Sequence, residues 1–243
     1  MNKYRLILTA IAALLFVFIS CDSEKSRQEK AENLISQKLN EELPDIESYQ
    51  LISMEMDTID NPLLADSLSY ELADQWNNIK MNEFLVKSNI NDIETKKKNL
   101  KTKASNHFWF GNMDGYDMIK YGQQFKNLDS QLESYQEELC DIELSKESIE
   151  EGFGSLLTKY QDVEMPGWKV IHKYRAKDEM GNMQIYNYTY FLSPDLDRIL
   201  YFYDNDSEET IIRLDIINEI STRVAEFISG SDETIDSAEE PCE

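Results

Sequence analysis

Histidine is almost missing from this 243-residue chain: His107 and His172 are the only two. A nucleophile–base–acid set resting on imidazole would have to use one of them. Neither has a second histidine or a cysteine near enough in sequence to suggest a metal-ligand set. No Gly-x-Ser-x-Gly, His-Glu-x-x-His, phosphate-loop or dinucleotide fingerprint occurs. Paired carboxylates are everywhere among 47 acidic residues, so their presence selects nothing. The sequence therefore reads as a protein that is not an enzyme and that uses no cofactor and no metal. Basic residues are also few: 24 against 47 acidic give a net charge of −23. That balance repels nucleic-acid phosphates and anionic headgroups, and it excludes nucleic acid as a partner. Cysteine is limited to Cys21, Cys140 and Cys242, too few for a disulfide framework. An oxidising compartment permits a bridge between Cys140 and Cys242, but the second lies in an acidic tail with no apparent order, so two unrelated thiols is the preferred reading and the bridge its alternative. Glycine (8) and proline (5) are scarce, while a 41% apolar fraction can build a core.

What the chain does have begins at its start. Leu6 to Cys21 is an apolar run preceded by Lys3 and Arg5 and ended by Ser20 and a cysteine, the layout of a secretory signal. It is shorter than the ~20 residues of a spanning helix. Phe18-Ile19-Ser20-Cys21 resembles the lipobox of bacterial lipoproteins, departing from it at Phe18, where leucine is usual. The resemblance implies cleavage before Cys21 and acylation of its thiol, palmitate included, by more than one chain, since a single acyl chain holds only marginally. Loss of Lys3 and Arg5 takes the mature charge to −25. The expected address is the bacterial cell envelope, lipid-anchored, at the outer rather than the inner membrane, although Asp22 favours inner-membrane retention under one sorting rule.

Residues 21–28 read as a polar tether. From Glu29, Ala31, Leu34, Ile35, Leu39 and Leu43 share a helical face until Pro44 stops it. Ser48 to Thr58 alternates as a strand, with Ile52, Met54 and Met56 on one face. Two heptad runs follow. In Leu64 to Ala104, Leu72, Ile79, Val86, Ile93 and Leu100 form one row and Trp76, Ile90 and Ala104 the other, which Glu83 and Lys97 interrupt. In Met118 to Ile149 the rows are Met118, Phe125, Leu132, Leu139 and Tyr121, Leu128, Tyr135, Ile142, Ile149. Joined by the dozen residues Ser105 to Tyr116, the runs predict an antiparallel coiled-coil hairpin, its second arm ending near Gly152 and Gly154 and each arm long enough to project. Trp168 to Lys177, Met183 to Leu192 and Ile199 to Tyr203 form a strand meander. Asp206 with Glu209 resembles a capping box for a last amphipathic helix, although Thr210 to Ile216 is β-branched enough for a fifth strand. The fold class is α+β: about four antiparallel strands packed with N- and C-terminal helices, and a long helical hairpin inserted after the first strand. By domain, 1–20 is the signal, 21–28 the tether, 29–61 and 163–230 the base, 62–162 the hairpin and 231–243 a disordered acidic tail.

Three surfaces are candidates for contact. His107-Phe108-Trp109-Phe110 at the hairpin end places large aromatics where they either fold back on the seams or meet an envelope partner. Lys169, Lys173, Arg175 and Lys177 form a basic stripe, and Tyr186, Tyr188 and Tyr190 share a strand face; together they could hold a glycan or another anion. Each has a structural alternative, as the wet face of an amphipathic strand and as a sheet covered by a helix.

The lipobox, the helical hairpin and the Gly167-to-Lys177 block GWKVIHKYRAK resemble a group of small bacterial envelope lipoproteins of unknown function. In that group a Gly-aromatic-Lys-Val-x-His-x-aromatic-Arg-x-Lys strand follows a central coiled coil. The likeness covers about Glu29 to Tyr203 and leaves out the Ile211 to Gly230 helix. It implies address and architecture; no catalytic residue carries over. The expected function is a lipid-anchored envelope protein with a non-enzymatic interaction or scaffold role through the hairpin, with glycan binding as the alternative. Its expected partners are the membrane, through Cys21, and an envelope protein or, alternatively, a polysaccharide.

Overall fold

The computed structural model describes residues 24–109, 111 and 114–230. The leader, Cys21, Phe110, the acidic tail with Cys242, and the readings placed on them lie outside the described residues. The chain is α+β. Helix α1 (24–42) precedes strand β1 (Gln50–Thr58), and helices α2 (Ser67–Trp109) and α3 (Gly115–Tyr160) follow as the hairpin. Strands β2 (Trp168–Lys177), β3 (Met183–Leu192) and β4 (Ile199–Asp204) then lead to helix α4 (Glu208–Ser229). Two compact units result: a sheet unit, up to Tyr70 plus Leu157–Ile217, and a helical unit, Glu71–Leu156 plus the chain from Asn218.

In the sheet unit the four strands run antiparallel in the order β1-β2-β3-β4. One residue in two along β2 is apolar or aromatic, so one face seeks cover. Val170, Tyr174 and Ala176 bury there with Tyr190 and Leu192 of β3, beneath Ala31, Ile35 and Leu39 of α1. Each valine, leucine or isoleucine side chain so buried contributes roughly 1.5–3 kcal/mol. Residues 24–28, expected as tether, are the first turn of α1, and Arg27 there lies 5.0 Å from the Trp168 ring centroid, a cation–π contact that favours helix over free chain. The turn between β2 and β3 is tied by the Asp178 carboxylate, which accepts the N–H groups of Met180 (2.9 Å) and Asn182 (2.8 Å).

Three local expectations change in this unit. The pairing of β1 with β2 shifts register between Leu51 and Ser53, so Leu51, not Ile52, stands opposite Tyr174 with Met54 and Met56 on its side; Ile52 is the bulged residue. The cap of α4 is Ser207, whose hydroxyl accepts the Thr210 N–H at 3.4 Å, whereas Asp206 sits in the preceding turn, its N–H given to Asp204. Thr210 to Ile216 is helix, not strand. Gly167 opens β2 at φ +141°, and a Cβ there would overlap the Leu192 carbonyl oxygen, so this position accepts glycine alone.

A second, smaller core lies on the other face of the sheet, where Ile59, Ala65 and Phe191 meet Leu64, Leu200, Tyr201 and Tyr203. Tyr70 stacks on Tyr201 at 4.0 Å. Asp66 fixes this end of the hairpin helices. Its carboxylate accepts the Leu68 N–H (3.0 Å), the Tyr160 hydroxyl (2.8 Å) and the Lys159 ammonium (2.8 Å). Burial pushes its pKa up, but these bonds together hold it below the usual carboxylate value.

In the helical unit every heptad position of α2 from Leu72 to Ala104 is buried or half-buried, Glu83 and Lys97 included. The two interruptions are paired across the hairpin. Glu83 meets Lys146 at 2.8 Å and Lys97 meets Asp129 at 2.5 Å, and Lys146 itself occupies the row of Leu132 and Leu139. Hydrogen bonds from Lys146 and then Lys87 hold the Glu83 carboxyl below its ordinary pKa. Helix α3 does not end at Gly152 and Gly154 but runs on to Tyr160. A Cβ on Gly152 would stand 3.1 Å from Leu72 Cδ1, and one on Gly154 3.6 Å from Val224 Cγ1. These glycines serve close packing of α3 on α2 and α4, which outweighs their weak helix propensity. Lys80 pairs with Glu219 and Arg223 with Glu150 along the same contact.

Candidate interaction surfaces

The hairpin end differs from its expected form. α2 continues through His107, Phe108 and Trp109, so the connection shrinks from a dozen residues to 110–114. Gly111 closes α2 in the left-handed region (φ +67°), donating its N–H to the Phe108 carbonyl at 3.2 Å. The Asp114 carboxylate opens α3 by accepting the Asp117 N–H at 2.8 Å. With both helix ends satisfied, the aromatic side chains are free to point outward. Phe108 is 68% and Trp109 82% exposed, and they touch edge-to-face with ring centroids 6.5 Å apart. Neither folds back on the seam. His107 is tied to α3, its Nδ1 3.4 Å from the Tyr121 hydroxyl. The exposed set extends to Tyr116, the last residue of the expected connection, to Met118, which was expected in the seam, and to Ile119. Lys96, Lys98, Lys101, Lys103, Lys120 and Lys126 are exposed along the same stretch. Their run in the sequence was the available signal for a second component of this surface.

No family model, curated protein or solved structure matches the chain. Its surfaces must therefore be judged on their own chemistry.

The basic stripe divides. Lys177 pairs with Asp45 at 3.0 Å. Lys169 stands opposite Asp57 and lines a recess of about 290 Å³ with Glu55, Asp57 and Asp60, so its charge is offset locally. Only Lys173 and Arg175 remain exposed on the outer sheet face without an ion pair among the described residues, beside Ile171 and Ile185. The tyrosine face points the other way, into the α1-covered core. Tyr190 is buried and Tyr186 and Tyr188 are half-buried, all packed with Tyr174 and Phe202. Tyr190 thus offers no surface to a ligand, and the stripe and the tyrosines lie on opposite faces of the sheet, where one glycan cannot span both.

His172 is enclosed by the same aromatic cluster. Its Nε2 lies 3.0 Å from the Tyr49 hydroxyl, its ring is within 6.0 Å of the Tyr49, Tyr174 and Tyr190 rings, and its Nδ1 has no partner. Burial depresses its pKa to about 4, because the imidazolium would need an acceptor at both nitrogens. A neutral ring without solvent access positions the core; it has no route to a substrate. Among the described residues no group of three or more His, Cys, Asp or Glu is arranged to hold a metal ion, and no helix is long and apolar enough to cross a membrane. Cys140, half-buried on α3, is engaged in a disulfide whose partner lies outside the described residues.

Proposed function

We propose that this chain is a lipid-anchored protein of the bacterial cell envelope, at the outer rather than the inner membrane, whose role is non-enzymatic contact through the tip of the α2–α3 hairpin. The observation that carries the reading is the exposure of Phe108 and Trp109 at the closed end of a seam-packed hairpin whose helix ends are both capped. Burying two such rings against a partner is worth several kcal/mol, and leaving them wet forgoes it. The enclosure of His172 supports a non-catalytic reading. A photo-crosslinking residue in place of Trp109 in the full chain, expressed in its own host, should form discrete adducts that Phe108→Ser abolishes. Adducts no different from those at an exposed mid-hairpin position such as Glu133 would overturn the assignment of the tip as the contact end.

The anchor makes a separate demand. Cys140 has already committed its thiol to a disulfide, so acylation of Cys21 leaves Cys242 as its partner. Non-reducing peptide mapping of the mature chain should show Cys140 linked to Cys242 and Cys21 acylated, and Cys21→Ala should release the protein from the membrane fraction or stall its processing. A Cys21–Cys140 link, or normal cleavage and membrane retention of Cys21→Ala, would remove the lipid anchor.

A further inference from the structure

The net charge of the chain conceals a local inversion. Between residues 95 and 129 there are seven lysines and three aspartates, a balance of +4 within a chain of −23. Two of the aspartates already have local roles: Asp129 pairs with Lys97, and Asp114 accepts the N–H that opens α3. The other six lysines are exposed and make no ion pair among the described residues. They flank Phe108, Trp109, Tyr116, Met118 and Ile119, all more than half exposed. Moving back along α2, the first acid met is Glu94, fifteen residues or roughly 20 Å of helix from Trp109. That exceeds two Debye lengths at physiological salt, so along α2 the acids of the chain act on Lys96 and Lys98 rather than on Lys101 and Lys103, and Asp114 and Asp117 are the acids of the tip itself.

We infer that the hairpin tip docks on an anionic lipid bilayer surface. Phe108, Trp109 and Tyr116 enter the headgroup–acyl boundary while the lysines meet the phosphates. The chemistry favours this occupant. Tryptophan and tyrosine combine an apolar body with a polar handle and concentrate at membrane interfaces. Lysine stems lie along apolar surface while their ammonium groups reach headgroups. Met118 and Ile119 add aliphatic area that stacking on nucleic-acid bases would leave unused. The inference rests on the proposed contact role of the tip and names its counterpart.

The test uses the full chain reconstituted into vesicles with brominated acyl chains, either phosphatidylcholine alone or rich in phosphatidylglycerol. A parallel arm places the chain in unbrominated phosphatidylcholine vesicles and adds the brominated ones as a second population. Trp76 is buried and Trp168 half-buried beneath Arg27, so a change in emission reports mainly Trp109. The expected result is a blue shift and quenching with phosphatidylglycerol in at least one arm, absent with phosphatidylcholine and lost in Trp109→Phe. Each exposed lysine should strengthen binding about fivefold, so Lys101→Gln, Lys103→Gln and Lys120→Gln together should weaken it about a hundredfold. An unchanged emission in both arms, or equal quenching by both lipids, would overturn the inference. If the crosslinks from position 109 are then to a protein, the tip remains a contact end with a different counterpart. If they too are absent, both readings fall.

Discussion

Acid should separate His172 from every other source of stability in the sheet unit. The ring is held neutral in the folded chain, with a pKa near 4 against an ordinary value of 6.5. Between those two pH values the unfolded chain binds a proton that the folded chain refuses. Stability is therefore fully present above 6.5 and drains away as pH falls through the window to about 4. A difference of about two and a half pKa steps corresponds to about 3 kcal/mol, a large part of the stability of an ordinary domain. His172→Phe keeps a planar aromatic ring, somewhat larger than imidazole, and removes the titration. It also strands the Tyr49 hydroxyl, now 3.0 Å from Nε2, at a cost of ~1–3 kcal/mol that does not vary across this range. Urea unfolding followed by near-ultraviolet circular dichroism, which reads the tyrosine cluster, gives the stability of both proteins from neutral pH down to about 4. The parent should be the more stable at neutral pH, and that advantage should fall by about 3 kcal/mol on acidification. The carboxylates titrate in both proteins and cancel in the difference. An advantage that stays constant with pH would refute the account of a neutral, enclosed imidazole.

Two further perturbations test the packing. Lys146→Met removes one partner of the half-buried seam pair and leaves Glu83 with Lys87 alone; thermal melts should show a loss of about 2 kcal/mol, and Glu83→Leu added to Lys146→Leu should recover most of it, because an apolar pair suits the seam better than one orphaned charge. Gly167→Ala should cost ~4 kcal/mol or abolish folding, measured by denaturant unfolding or by soluble yield, since the new methyl overlaps the Leu192 carbonyl oxygen. A neutral result would mean that the junction into β2 is looser than its geometry.

How far these elements could be read in advance depended on whether one residue's neighbours in sequence were also its neighbours in space. Strand β2 was legible to the residue because it has one wet and one dry face, so period two survives in the sequence; β3, buried on both faces toward its end, was bounded by its flanking turn residues instead. The hairpin seam was legible for the same reason as β2, at period seven. Gly152 and Gly154 misled because a helix stop and a close helix crossing both call for glycine, and only Leu72 and Val224, distant in sequence, decide between them. His107 to Trp109 looked like loop because aromatic residues are middling helix formers, while the cap at Gly111 that extends α2 is a single residue. Exposure of Trp109 was beyond reach, whereas burial of Tyr190 under a helix was one of the two readings left open for the tyrosine face. Alternation puts a tyrosine on a face, but which face α1 covers is a tertiary choice. The lysines of the tip were visible one by one and vanished in the whole-chain average.

The two charged pairs inside the hairpin seam have a consequence for its length. Glu83 with Lys146 and Lys97 with Asp129 act as rivets at two levels of the arms. Slippage of one arm past the other by a turn would misalign both rivets at once and strand charges among leucines, so the hairpin behaves as a ruler whose reach is set by residue count. Adding seven residues to one arm should be rejected. Adding seven to each arm, between the rivets and in heptad phase, should move the tip outward by about 10 Å with the seam intact. A lineage could therefore lengthen or shorten this reach in whole heptads while leaving the sheet unit and the tip chemistry untouched.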